Sequence, residues 1–278
     1  MDRVVFSPRR LGLIALNTLR EAVRQRILNL LVVLALVVVL GAQCFRDFHF
    51  GSPELKFIAD IGSGATAVFG TVLAVVLMAQ LFFSELEHRT ALTLLAKPVW
   101  RAEFILGKYA GVAVMLGAFC GSLTLVLAGV LWVRETALMR DLPEAFAGGR
   151  VINYAHLAAA GMLQWLKLLV LSALTLLAAS YARTQLFTMV MGFFVFVICH
   201  LQHWALAASA RAGATAAGVA MGLVARVLPD FQLFNLTDTM GGGETLGWSS
   251  LGRVVLYALA YMAAACGLAV FCFRRREI

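Results

Sequence analysis

Charge is scarce in this chain. Charged residues make up 14% of the 278 positions and hydrophobic residues 62%, whereas an ordinary soluble domain carries roughly 25% charge. With a mean hydropathy of +0.88, this excludes a soluble fold patterned around one core and points to apolar runs of bilayer length. Cysteine is sparse as well. Cys44, Cys120, Cys199, Cys266 and Cys272 are odd in number, scattered and never in a CxxC pair, so they form neither a disulfide framework nor a thiolate zinc site. They read as small hydrophobes. GxxxxGK[ST], which would cradle a nucleotide phosphate, is missing, and Gly241, Gly242 and Gly243 have no lysine beside them. Neither GxSxG nor HExxH occurs. The net charge of +8 is not gathered into an arginine-rich stretch interleaved with aromatics, so no nucleic-acid partner is implied. The N-terminus also lacks the short basic head, brief apolar core and small-residue site of a signal peptide.

What is present is a set of six apolar segments, at about 27–45, 64–83, 109–133, 157–180, 186–206 and 254–273. Each approaches the roughly 20 residues that a helix needs to cross a bilayer. Before them, Leu13, Leu16, Leu19, Val23 and Ile27 recur at helical spacing, with Arg10, Arg20 and Arg24 largely opposite, and Ser7-Pro8 supplies a helix start. That pattern fits a basic amphipathic helix lying at a membrane surface. The expected fold class is all-α: a polytopic bundle of six transmembrane helices, forming one transmembrane domain over residues 1–278. Residues 1–26 are expected to be a cytoplasmic interfacial helix, 84–108 a cytoplasmic loop, and 207–253 an extracytoplasmic loop. Within the last, the small-residue stretch 212–228 is expected to form a re-entrant hairpin, since a seventh span would turn Arg274, Arg275 and Arg276 outward.

Orientation follows from the distribution of basic residues. The N-terminus, 84–108, Arg183 and the C-terminal tail together hold 14 Lys and Arg and 6 acids. The opposite loops hold 8 bases and 9 acids. Both termini are therefore expected in the cytoplasm, with the chain a multi-pass protein of the cytoplasmic (inner) membrane.

Three features inside the spans could carry function. Lys167 lies about ten residues into the fourth span, with Gln164 on its face, Thr175 two turns on, and no acid within any span to pair with it. An ionisable group at such depth costs about 2.5–3.5 kcal/mol on insertion scales. It either snorkels outward or lines a substrate path with Gln164 and Thr175. His200 and His203, at i,i+3 near the end of the fifth span, read as boundary residues beside Trp204 or as a metal or haem pair. Small residues at four-residue spacing, Ala113, Gly117 and Gly121 in the third span and Ala260 and Ala264 in the sixth, allow close helix approach within a bundle or across a dimer seam.

The most charged block between spans is SELEHRTALTLLAKPVWRAEFILGK, residues 84–108. Glu85 to Ala96 is compatible with a helix, Pro98 forbids its simple continuation, and a new helix begins near Trp100 and Phe104. Glu85, Glu87, the run Arg89 to Leu95 with Thr90, then Lys97, Pro98, Arg101, Gly107 and Lys108 resemble the corresponding segment in permease subunits of type-2, exporter-like ABC transporters. The overall likeness is to the permeases associated with copper-enzyme maturation and gliding motility. The resemblance implies a permease subunit with no cofactor and no nucleotide site of its own. ATP and magnesium would sit on a stand-alone ABC ATPase subunit, and a second permease copy or paralogue would complete the transporter in the lipid bilayer. The short helix near 85–97 would be the coupling helix. Glu85, Glu87, Arg89, Thr90, Lys97, Pro98 and Arg101 would then form the contact with the ATPase. Other readings are a membrane scaffold or assembly factor, and a membrane-embedded metal or haem enzyme using His200 and His203.

Overall fold

The computed structural model of the protein describes residues 7–43, 52–87, 101–141, 143–146, 149–212, 215–235 and 248–274. Among them there are helices and no strands. In chain order these are α1 (Pro8–Val23), α2 (Arg26–Gly41), α3 (Ser52–Glu87), α4 (Arg101–Asp141), α5 (Tyr154–Tyr181), α6 (Gln185–His200), α7 (Gln202–Ala212), α8 (Ala216–Val227) and α9 (Trp248–Arg274). Four segments are long and apolar enough to cross a membrane, Glu54–Ser84, Ala102–Asp141, Tyr154–Tyr181 and Leu251–Phe273. Two bent pairs, α1 with α2 at 65° and α6 with α7 at 59°, raise the count to six if each is one span. The protein is a polytopic helical bundle.

The centre of the bundle is built by α3, α4 and α5, with α9 packed along α5. Leu77, Met78, Phe82, Phe104, Leu116, Phe119, Leu168 and Leu171 bury their side chains there. Phe273, near the end of α9, stacks on Phe104 at 6.0 Å between centroids and meets Phe82 edge-on at 5.8 Å, so the last span closes the core at the end nearest the 84–108 block. In α2, Leu28, Leu31, Ala35 and Val39 recur at helical spacing and are buried, while Leu30, Val33, Val37 and Leu40 are exposed. This is the two-faced apolar helix of a lipid-exposed span.

Two of the spans extend well beyond the lengths expected from hydropathy. The α4 helix runs for 41 residues, about 60 Å at 1.5 Å per residue and twice the roughly 30 Å apolar thickness of a bilayer. The α3 helix begins at Ser52, not near 64. The added turns hold charge that is satisfied within the protein. Arg134 Nε donates to Glu54 Oε1 at 2.6 Å. The buried Glu135 accepts from the backbone N–H of Val151 at 2.8 Å and Ile152 at 3.1 Å, and from the Tyr154 hydroxyl at 2.7 Å. A window that penalises charge ends the span too early, whereas a carboxylate satisfied this way sits comfortably on a helix that has left the bilayer.

The fifth expected span, 186–206, is broken. The helix bends at Leu201, where the backbone N–H of Phe231 donates to Cys199 O at 3.3 Å and so caps a carbonyl that would otherwise continue the ladder. Beyond it α7 and α8 pack against each other. With 11 and 12 residues, each is shorter than the bilayer requires.

Backbones approach closely between α1 and α4. Cβ atoms added to Gly107 would come within 2.8 Å of the Ile14 side chain and 3.2 Å of Leu11 O. At Gly111 they would fall 2.7 Å from Ala15 O and 2.6 Å from Thr18 Cβ. Only glycine lets the two backbones approach this closely. Thr18 and Ala22 are buried in the seam and Ile14 packs on Gly107, while Leu13, Leu16 and Val23 remain exposed, so α1 turns one face to α4 and a second apolar face outward. Gly111→Ala is therefore expected to lower the thermal midpoint in detergent by an amount equivalent to about 1–3 kcal/mol. Gly12→Ala, with nothing within 4 Å, is expected to be neutral or stabilising by up to about 1 kcal/mol through helix propensity. Parallel thermal unfolding of both variants checks the contrast.

Candidate functional site

Two regions hold the residues singled out by the sequence. The first is the pair of helix ends that frame 88–100. Glu103, in the first turn of α4, is fully buried, and its Oε1 accepts from the backbone N–H of Ser7 at 2.7 Å. Its Oε2 stands 3.8 Å from Arg10 Nε. A carboxylate at the start of α1 meets the positive end of the helix dipole as well as the arginine. At its other end, α1 uses Glu21 Oε1 to accept from Ser84 Oγ of α3 at 2.7 Å. Lys108 is buried one turn beyond Glu103, where its ammonium donates to Leu81 O of α3 and lies 5.6 Å from the Phe104 ring. Thus α1 is bonded to both α3 and α4 within a turn or two of the point where each leaves for the loop. Glu85 and Glu87 fall in the last turn of α3 and Arg101 opens α4, but their side chains lie outside the described residues. Arg89, Thr90, Lys97 and Pro98 lie wholly outside them.

The second region is a cavity of about 350 Å³ at the opposite end of the bundle. It is framed by Asp60, Ser63 and Thr66 of α3, Thr124 of α4, Gln164 and Lys167 of α5, His200 at the end of α6, and Phe234 and Asn235 beyond α8. Asp60, His200 and Asn235 are exposed at its rim, whereas Thr66 and Lys167 are buried. The contact of Gly70 with Leu168 puts Lys167 level with Phe69, nine residues along α3 from Asp60. At 1.5 Å per residue the backbone of Lys167 lies about 13 Å along the bundle from that of Asp60. Beneath Lys167 the path is closed by the packed residues Leu73, Leu168 and Leu171.

Lys167 retains only 8% of its surface exposed. Its Nζ lies 5.7 Å from the Phe231 ring centroid and 6.0 Å from that of Phe196. Among the described residues no carboxylate reaches this ammonium. Aromatic faces attract a cation through the ring quadrupole, by about 2 kcal/mol when desolvated, but they accept none of its three N–H bonds in the ordinary sense. One turn away on α5, Gln164 carries a buried Nε2 with no hydrogen-bond partner among the described residues. The Lys167 ammonium is buried beside two rings.

The remaining sequence candidates separate. Thr175 is buried but lines no part of the cavity: its hydroxyl donates to Leu171 O at 2.9 Å and faces Gly192 of α6. His200 and His203 do not share one helix face, because the bend at Leu201 assigns them to α6 and α7. His200 stacks on Phe196 at the cavity rim, while His203 is exposed. Among the described residues no three His, Cys, Asp or Glu side chains converge as a metal site would require. In the third span, Gly117 receives the Trp165 indole, whose Nε1 donates to Ala113 O at 3.0 Å, so Ala113 and Gly117 pack against α5 within the chain, while Gly121 is exposed. Ala260 and Ala264 face outward on α9.

Sequence reasoning missed Asp60, Ser63, Thr66, Thr124 and the ring of Phe231. The stretch ADIGSGAT, 59–66, carried a signal in its small polar residues at the edge of an apolar run. Phe231 gave none, because only the fold returns that loop to α5.

The described residues thus form a multi-pass bundle with a lysine-lined cavity at one end and, at the other, α1 bonded to the ends of both α3 and α4. The sequence matches the family model described as ABC-2 family transporter protein over residues 13–278. The chain belongs to that family and is a membrane permease component of an ABC transporter, not an enzyme in its own right. Permeases of this family generally work with a partner ATPase subunit. No curated protein matches it in sequence.

A buried ammonium with no counter-ion weakens the fold that holds it. Lys167→Met preserves the stem and removes the charge. It is expected to raise the thermal midpoint of the purified chain by the equivalent of about 1–3 kcal/mol, as when function has been served at the expense of stability. A lowered midpoint would make the lysine structural.

Proposed function

We propose that the chain is the transmembrane subunit of an ATP-driven exporter, coupling ATP hydrolysis by a separate ATPase subunit to translocation of substrate. The observation that carries this reading is family membership over residues 13–278 together with the clamping of α1 to both feet of the 84–108 loop, through Glu103 and Glu21. In this reading the loop docks into the ATPase through Glu85, Glu87, Arg89, Thr90, Lys97 and Arg101, with Pro98 setting the turn. Magnesium and ATP stay on the partner, and no cofactor belongs to this chain. The 14 basic residues against 8 support placing the loop and both termini in the cytoplasm, in the inner membrane of a bacterial cell.

The mechanism follows from which parts are rigidly joined. Closure of two ATPase subunits displaces the loop of each of two permease copies, identical or related. Because Ser84 and Glu103 are both bonded to α1, the push is not absorbed at the ends of α3 and α4. It moves α1, α3 and α4 as one body, and a rigid-body rocking of that kind alternates access between the two sides. The cavity floored by Lys167 and Gln164 lies at the far end of the same three helices and would be the substrate end of the path.

Arg89→Glu and Pro98→Leu test the assignment. Each is expected to leave membrane insertion unchanged and to reduce stimulated ATP hydrolysis by a co-purified ATPase about tenfold, which corresponds to ~1.4 kcal/mol of lost coupling. Unaltered co-purification and unaltered stimulation in both variants would remove the loop from the coupling role and favour a scaffold.

A further inference from the structure

The transport reading does not say what the cavity binds, and the cavity itself carries that information. Its floor has two hydrogen-bond donors one turn apart on α5, the Lys167 ammonium and the Gln164 amide, and side chains at i,i+3 share a helix face. The ammonium is nine-tenths buried and backed by the Phe196 and Phe231 rings. Those rings hold it in place yet leave its N–H groups without oxygen acceptors. The Gln164 Nε2 likewise meets no acceptor among the described residues. A buried donor left unmade is destabilising, more so when charged. The Lys167 ammonium lining this cavity, with the unmade Gln164 Nε2 buried one turn away beside it, defines the complement that would satisfy it: an oxygen-rich group of negative charge.

Among the described residues the other titratable groups lining this space are Asp60 and His200, both at the rim, with Asp230 close to His200. Lys167 forms no ion pair with Asp60, so its ammonium is not neutralised from the mouth. The volume, about 350 Å³, is at the lower end of small-molecule sites. It accommodates a headgroup or a small organic acid but not a whole two-chain lipid.

We propose that this cavity is an oxyanion site, in which the phosphate or carboxylate of a ligand pairs with Lys167 and accepts from Gln164, its remaining atoms directed to the rim. The inference deepens the transport reading, because it gives the chemical class of the substrate at that site. The group can come from a lipid headgroup or from a free anion in solution.

The experiment uses the full chain purified in uncharged detergent, without nucleotide or ATPase, so that its failure is distinguishable from failure of coupling. Thermal midpoints are followed against dihexanoyl phosphatidic acid, inorganic phosphate and, as the neutral counterpart, dihexanoylglycerol. Binding to the folded state raises the midpoint with ligand concentration. The phosphatidic acid probe is expected to stabilise the native chain. Its apparent affinity is expected to fall at least about tenfold in Lys167→Met and in Gln164→Leu, and to change by less than about threefold in Lys167→Arg, which keeps the charge. Equal response to inorganic phosphate, lost in the same variants, identifies a free anion as the sufficient source. Response to the lipid probe alone identifies a headgroup. The proposal is overturned if no anionic probe shifts the midpoint, if dihexanoylglycerol shifts it equally, or if the shift persists in Lys167→Met and Gln164→Leu. Should Lys167→Met fail to fold, Gln164→Leu and Lys167→Arg decide the matter.

Discussion

The contact of α1 with α4 brings two backbones close together. Where Gly107 and Gly111 face α1, they meet the carbonyls of Leu11 and Ala15 and the first side-chain atoms of Ile14 and Thr18, which leaves little to yield under load. Glu103 fixes one end of the same helix, and Glu21 fixes the other to α3. A helix that hydropathy alone would leave drifting along the bilayer surface is thereby made part of the rigid frame. Every longer-range claim about this molecule depends on that. The 84–108 loop can act on the spans only if the ends it springs from are stiff, and α1 stiffens both.

The same stiffness organises the distant end. The α3, α4 and α5 helices run unbroken from the clamped end to the cavity, past a core in which Leu168 fills the space beside Gly70. Lys167 sits at the top of this packed column, its ammonium beside Phe196 of α6 and Phe231 from the part of the chain that follows the break at Leu201. The capped end of α6 is therefore more than a terminus, since the segment that caps it also supplies one of the two rings that hold the lysine. A buried cation tolerated in this way is a feature retained against stability, and the unmade donor of Gln164 beside it points to the same use.

Much of this was legible in the residues. Apolar runs fixed the class and the approximate positions of the spans. The amphipathic leader and the intrusion of Lys167 were visible as departures from that pattern. The limits were physical. Hydropathy cannot see that Glu54 is met by Arg134, or that Glu135 is met by two backbone N–H groups, so it truncated α3 and α4. It cannot see a helix broken by a tertiary hydrogen bond to Cys199 O, since neither proline nor glycine marks Leu201. Nor can spacing along one helix reveal that Thr175 faces Gly192 and not the cavity, because Lys167 and Thr175 are eight residues apart and which neighbour each meets is decided by the bundle.

The central claim is that the loop following α3 is where the permease meets its motor. Site-specific photocrosslinking from position 93 in native membranes tests this directly. The account predicts a product with an ATP-binding subunit, its yield changing when nucleotide is trapped, and no such product from position 60 at the far end of α3. Crosslinking of an ATPase from position 60, or capture from position 93 of a protein without ATPase activity alone, would contradict it.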